Sequence, residues 1–210
     1  MDAKILINFS GGVDSTYYLW RWLRENPKST ILVHHCLLFE KRRALEKKAT
    51  EDVLNWLHGQ NLKNFKYVET EFAKKGIKGQ LYDLEIVYFM AGLVLKGHRN
   101  IGTVLMSRCK EELFSNKGLH QHMKKPGGDL NNFVVPDNRV SIAMQTAQLI
   151  ARRRVKFISP YQHMPKADMV TELPQQLFDL TWYCRRPRND KPCGKCFSCQ
   201  RAAIKRRKVA

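Results

Sequence analysis

The feature that most constrains this chain is a short apolar run that breaks into two glycines and then turns helical. Lys4–Phe9 (KILINF) has the length and composition of a strand buried in a parallel sheet. It ends in Ser10-Gly11-Gly12-Val13-Asp14-Ser15, and from Thr16 to Leu23 apolar and aromatic side chains recur on a helical period. Strand, glycine turn and helix in that order predict an anion site. Glycine lets the backbone bend sharply and bring its N–H groups close to a ligand. The following helix adds the positive end of its dipole. The candidate phosphate-binding residues are Phe9, Ser10, Gly11, Gly12, Val13, Asp14, Ser15 and Thr16, with hydroxyl donors at Ser10, Ser15 and Thr16. Asp14 suits a phosphate site once a cation is included, which makes it a candidate holder of Mg²⁺, directly or through water. The competing reading is a plain strand–turn–helix junction in which Ser or Asp caps the helix. The chain has neither GxxxxGK(S/T) nor GxGxxG, so neither a Walker-type NTPase nor a dinucleotide enzyme is indicated.

The rest of the chain alternates in the same way. Thr30–Phe39, Asn64–Glu69, Gly102–Met106 and Lys156–Ser159 read as further strands. Lys41–Leu57 reads as an amphipathic helix with Leu45, Ala49, Val53, Leu54 and Leu57 on one face. Leu81–Lys96 reads as a mostly apolar helix stopped by Gly97, and Ser141–Arg152 as another. This order predicts an α/β, doubly wound, parallel five-stranded sheet, whose ligands sit beyond the carboxyl ends of the strands. The pattern lapses over Ser115–Arg139, a stretch suited to a lid or an insertion. The composition shifts again after Pro174, so the expected division is 1–175 for the sheet domain and 176–210 for a small C-terminal region.

Four of the six cysteines lie in that region, as Cys184-x8-Cys193-x2-Cys196-x2-Cys199. No secretory signal is visible at Met1-Asp2-Ala3-Lys4, so the cluster reads as a metal site and the chain as cytoplasmic. Four thiolates suit tetrahedral zinc, and Gly194 eases the turn between ligands. An iron–sulfur cluster is the rival, but the Cys-Pro that closes a ferredoxin-type run is missing after Cys199. Cys36 and Cys109 stand apart as small buried hydrophobes, or as the thiols available if sulfur chemistry occurs. His34 and His35 point to opposite faces of a strand, and His120 and His122 lie in the irregular stretch, so no second metal site is read from them.

The 210 residues carry 37 Lys and Arg against 19 Asp and Glu, a net charge of +18. That excess attracts polyanions, either nucleic acid or nucleotide phosphates. The apolar fraction of 43% supports a real core, and no run is long enough to span a membrane.

SGGVDS at Ser10–Ser15 matches the signature of the PP-loop (N-type) ATP pyrophosphatases. The resemblance implies the adenine-nucleotide alpha hydrolase type of fold and a grip on the β,γ-pyrophosphate of ATP. With Leu180-Thr181-Trp182-Tyr183-Cys184 and Lys191-Pro192-Cys193-Gly194-Lys195-Cys196-Phe197-Ser198-Cys199-Gln200-Arg201, the chain resembles the 7-cyano-7-deazaguanine synthase (QueC) family. Ile158-Ser159-Pro160-Tyr161, Lys166-Ala167-Asp168 and Lys41-Arg42-Arg43 fall where that family has its own short motifs. The resemblance implies a homodimeric carbon–nitrogen ligase that joins 7-carboxy-7-deazaguanine to ammonia, with ATP, Mg²⁺ and Zn²⁺. Asp14, Ser10 and Lys166 are its candidate catalytic residues. Lys166 reads equally as a surface lysine at a helix start. The substrate-side GRN motif is absent from Leu81–Leu95, and Ser107-Arg108-Cys109-Lys110-Glu111-Glu112 replaces an acidic, aromatic segment. A short, basic form of this kind would suit a phage or mobile-element homologue. The alternative is a PP-loop enzyme that modifies tRNA or another macromolecule, or a diverged deazapurine amidotransferase.

Overall fold

A computed structural model describes residues 3–38, 42–73, 76, 83–110, 139–196 and 198–200. Five strands form one sheet in which every pairing is parallel: β1 (Ile5–Asn8), β2 (Ile31–Leu38), β3 (Phe65–Phe72), β4 (Thr103–Leu105) and β5 (Lys156–Ile158). Their order is β3-β2-β1-β4-β5. The helices are α1 (Val13–Glu25), α2 (Arg43–Gly59), α3 (Asp83–Gly97), α4 (Arg139–Ala151), α5 (Lys166–Glu172) and α6 (Gln175–Asp179). The expected doubly wound α/β sheet is therefore the observed one. Expectations for Lys41, Leu81, residues 115–138 with His120 and His122, Phe197 and the basic stretch after Gln200 lie outside the described residues.

Strand alternation assigns the two faces. Ile7, Ile31 and Val33 turn toward α1 and α2, where they meet Tyr17, Leu19, Val53, Leu57, Met169 and Phe178. Leu6, Leu32 and Val104 turn the other way, against Tyr88, Leu95, Ala143 and Ala147 of α3 and α4. The second face packs by close approach of helices. A Cβ on Gly92 of α3 would stand 2.7 Å from Ile150 Cβ and 2.9 Å from the Ala147 carbonyl oxygen of α4. Glycine is what lets those two helices touch backbone to backbone.

β3 runs to Phe72, three residues beyond the expected end. It is an edge strand, and its outer half pairs Thr70, Glu71 and Phe72 with Cys36, Leu37 and Leu38. On its α2 side the side chains are charged: Glu69 meets Lys47 at 3.1 Å and Glu71 meets Arg43 at 2.7 Å. Ion pairs replace apolar contacts there, so the hydrophobic alternation stops before the strand does. Among the described residues, no helix is long and apolar enough to cross a membrane.

The chain winds outward from β1 to β2 and β3, then crosses back to β4 and β5. That reversal opens a crevice at the carboxyl ends of the neighbouring strands β1 and β4, the usual ligand position in such sheets. Tyr18 of α1 pins the β4 side of it. Its hydroxyl donates to the Arg108 carbonyl at 2.7 Å and lies 2.9 Å from Ser159 Oγ, which itself donates to the Met106 carbonyl.

Candidate functional site

The Ser10–Ser15 loop leaves β1 at this crevice and enters α1. Gly11 has φ +65°, a conformation that a side chain would strain. A Cβ there would also lie 2.8 Å from the Thr50 amide nitrogen and 3.0 Å from Thr50 Oγ1. The loop is therefore seated directly on α2. Gly12 is the N-cap of α1, and no side chain caps the helix. The hydroxyls serve the loop itself. Ser15 Oγ donates to the Gly12 carbonyl at 3.1 Å and accepts from the Ser10 amide at 3.3 Å, and Ser10 Oγ accepts from the Gly12 amide at 3.3 Å. Among the described residues, the amides of Val13, Asp14 and Ser15 find no protein acceptor. Uncapped first-turn amides at a positive helix end form an anion site.

Two charges flank those amides. Lys166, the first residue of α5, places Nζ 2.7 Å from Asp14 Oδ2, and both side chains are largely shielded from solvent. The second carboxylate oxygen, Asp14 Oδ1, is buried without a hydrogen-bond partner, as are Thr16 Oγ1 and Thr50 Oγ1. A buried carboxylate oxygen left open beside an anion site suits a divalent cation. Lys166 owes its position to the far end of α5. There Glu172 accepts from the Tyr17 hydroxyl at 2.6 Å and pairs with Arg21 at 3.0 Å, tying α5 to α1.

His34 and His35 do not form a metal site. The neutral His34 ring donates from Nδ1 to Asn8 Oδ1 at 2.9 Å and accepts at Nε2 from Thr70 Oγ1 at 2.8 Å, linking three strands. His35 faces the other side of the sheet, near Tyr67 and Glu69. Burial holds both rings near pKa 4. Cys36 and Cys109 are buried, and burial raises the Cys36 thiol, which keeps it a poor nucleophile.

The four sulfurs of Cys184, Cys193, Cys196 and Cys199 all lie within 4.8 Å of one another, and Cys193 and Cys199 are 3.8 Å apart. A tetrahedral ion bound to thiolates at about 2.3 Å sets its sulfurs roughly 3.8 Å apart, so this donor set fits a single metal ion. Gly194 has φ +69° at the turn. The amides of Lys195 and Cys196 point at Cys193 and lower its pKa to about 6, whereas burial raises the Cys199 thiol, so these two donors differ in how readily they give up a proton to a metal ion. Arg185, Arg186, Arg188, Lys191 and Lys195 are exposed around the knot.

No family model matches the chain. The 7-cyano-7-deazaguanine synthases of Brucella ovis and Brucella suis are 38% identical to it over 80 residues, covering 35% of this chain and 33% of theirs. The match thus spans a third of those relatives' length. Across almost the whole chain, the structure is similar to the U34-tRNA thiolase NcsA from Methanococcus maripaludis, a protein solved with its four-iron–four-sulfur cluster. The TM-score is 0.55, with 11% identity, over 99% of this chain and 65% of that one. This is a PP-loop fold. Within it, the PP-loop of this chain lies where β1, α1 and the β1/β4 crevice meet.

Three residues of the site are not in the motif. Thr50 supports Gly11 from α2, and its signal is a lone hydroxyl on a stripe otherwise made of Ala49, Val53, Leu54 and Leu57. Ser107 Oγ is buried without a partner just past β4, the strand paired with β1. Trp182 donates its amide to the Gly11 carbonyl at 2.9 Å, a contact that no local pattern announces.

Proposed function

We propose that this chain is an ATP-using PP-loop ligase acting on a 7-deazaguanine carboxylate. The observation that carries the reading is the row of uncapped α1 amides beside the Asp14–Lys166 pair, set at the sheet's switch point. The carboxylate oxygen attacks the α-phosphorus of ATP and expels pyrophosphate, which the amides of Val13–Ser15 hold while Lys166 offsets its charge. Ammonia then attacks the acyl carbon and AMP departs, leaving the amide. A second ATP adenylates the amide oxygen, and loss of AMP and a proton gives the nitrile. Asp14 Oδ1 is the group that would hold Mg²⁺, which supplies charge neutralisation at the leaving pyrophosphate. Zinc is the favoured occupant of the cysteine knot, because an eight-atom iron–sulfur cube needs its thiolates spread farther than one ion does. The substrate reading is supported by the 80-residue similarity to the Brucella synthases and by the Cys184–Cys199 spacing.

The deciding experiment incubates the protein with MgATP, ammonia and 7-carboxy-7-deazaguanine and follows AMP, pyrophosphate and the nucleobase by mass spectrometry. The expected products are the amide and the nitrile, with Asp14→Asn lowering the rate at least a hundredfold. AMP formation that requires an RNA instead of the deazapurine would favour the second reading, a macromolecule-modifying enzyme. That reading draws on the +18 charge and the thiolase-like fold.

A further inference from the structure

One residue joins the knot to the PP-loop. The Trp182 amide donates to the Gly11 carbonyl at 2.9 Å, and the Trp182 carbonyl oxygen lies 3.5 Å from where a Cβ on Gly12 would stand. The Trp182 indole Nε1 donates to the carbonyl of Cys184 at 2.8 Å. Cys184 is 1% exposed, and its sulfur accepts from the Cys193 amide at 3.2 Å. Three consecutive residues thus run from the loop's left-handed glycine into the metal-ligand set.

The knot has little else to hold its shape. Between Thr181 and Cys196 the only ladder among the described residues is the isolated bridge Arg188↔Lys191, and Asn189, Asp190 and Gly194 all have positive φ. The stretch offers few apolar side chains to bury, so a bound ion supplies the free energy that orders it. Gly11 is the residue type with the most backbone freedom to lose, and Trp182 holds its carbonyl.

We propose that the cysteine knot sets the nucleotide affinity of the PP-loop. Metal bound by Cys184, Cys193, Cys196 and Cys199 fixes Trp182 against Gly11 and Gly12, and that contact keeps the α1 amides in their phosphate-binding arrangement. Trp182 is a positioning residue. The inference rests on the reading of the loop as an ATP site. Coupling of this kind is reciprocal, so ATP must tighten metal binding by the factor by which metal tightens ATP.

The test measures MgATP affinity by calorimetry for zinc-loaded protein, for protein stripped with a chelator, and for zinc-loaded Trp182→Pro, which lacks the amide donor but keeps all four thiolates. Zinc affinity is measured with and without saturating MgATP, against a chromophoric chelator. The expected result is ATP binding at least tenfold weaker in the stripped protein and in Trp182→Pro, and zinc affinity raised by a matching factor when ATP is present. A merely structural knot would not respond to ATP. Equal ATP affinity, within twofold, in all three forms overturns the coupling and leaves the proposed function standing. No ATP binding by the zinc-loaded wild-type chain overturns the ATP-site reading and the coupling together.

Discussion

The PP-loop and the cysteine knot touch each other yet are built by opposite means. The loop stands on regular structure: β1 lies between β2 and β4, α1 buries eight residues, and α2 lies directly beneath Gly11. The knot has almost no regular structure and is surrounded by exposed cations, so its order depends on four sulfurs. One region draws on apolar burial, which needs no ligand. The other offers four thiols to a metal ion, and without one it would lack its main source of order.

The strongest way to break this contrast is Cys199→Ser. The expected outcome is loss of zinc affinity by more than a hundredfold and proteolysis within residues 184–200, with the far-UV circular dichroism of the sheet and helices retained. Collapse of the whole spectrum would mean that the sheet also depends on the ion. A smaller effect separates two glycines that share a positive φ. Gly11→Ala costs about 1–2 kcal/mol for the left-handed backbone and adds a clash with Thr50, so ATP affinity should fall at least tenfold. Gly194 has nothing within 4 Å of its added Cβ, so Gly194→Ala should carry the conformational cost alone. Melting and ATP titration of the two variants check the difference, and equal losses of ATP affinity would remove the special status of the loop.

A pH titration tests the sheet side alone. His34 and His35 drop from 6.5 to about 4 through burial. Their folded pKa is depressed, so the unfolded chain takes up protons first. The neutral rings contribute fully above pH 6.5, and that stability is lost as pH falls from 6.5 toward 4. Each shift is worth on the order of 3 kcal/mol at the acid end. The melting temperature should fall by several degrees between pH 7 and pH 5, and His34→Asn should make the decline shallower by about one proton. An unchanged slope would mean that His34 is not the titrating group.

Much of this was readable in advance because two signals act locally. Short apolar runs placed the five strands, period-3.6 hydrophobicity placed the four longer helices, and cysteine spacing picked out the four thiols that the fold gathers. β3 outran its apolar pattern because Glu69 and Glu71 found partners on α2. The loop motif named Ser10 through Ser15 but not Thr50 or Trp182, since both reach Gly11 through tertiary contact across 39 and 171 residues of chain. Lys166 was visible as a candidate, whereas its pairing with Asp14 depends on the Tyr17–Glu172 tie that orients α5. The core polar link Asn8–His34–Thr70 was equally hidden, because registers of three strands must be known before those side chains can be joined.

The short bond from Trp182 to Gly11 has a practical corollary. A fragment cut after Leu180 would keep the sheet and the helices packed on it, and lose the amide that holds the Gly11 carbonyl. Trimming the molecule for crystals or fusions at that boundary would strip the Ser10–Ser15 loop of one of its supports along with the tail.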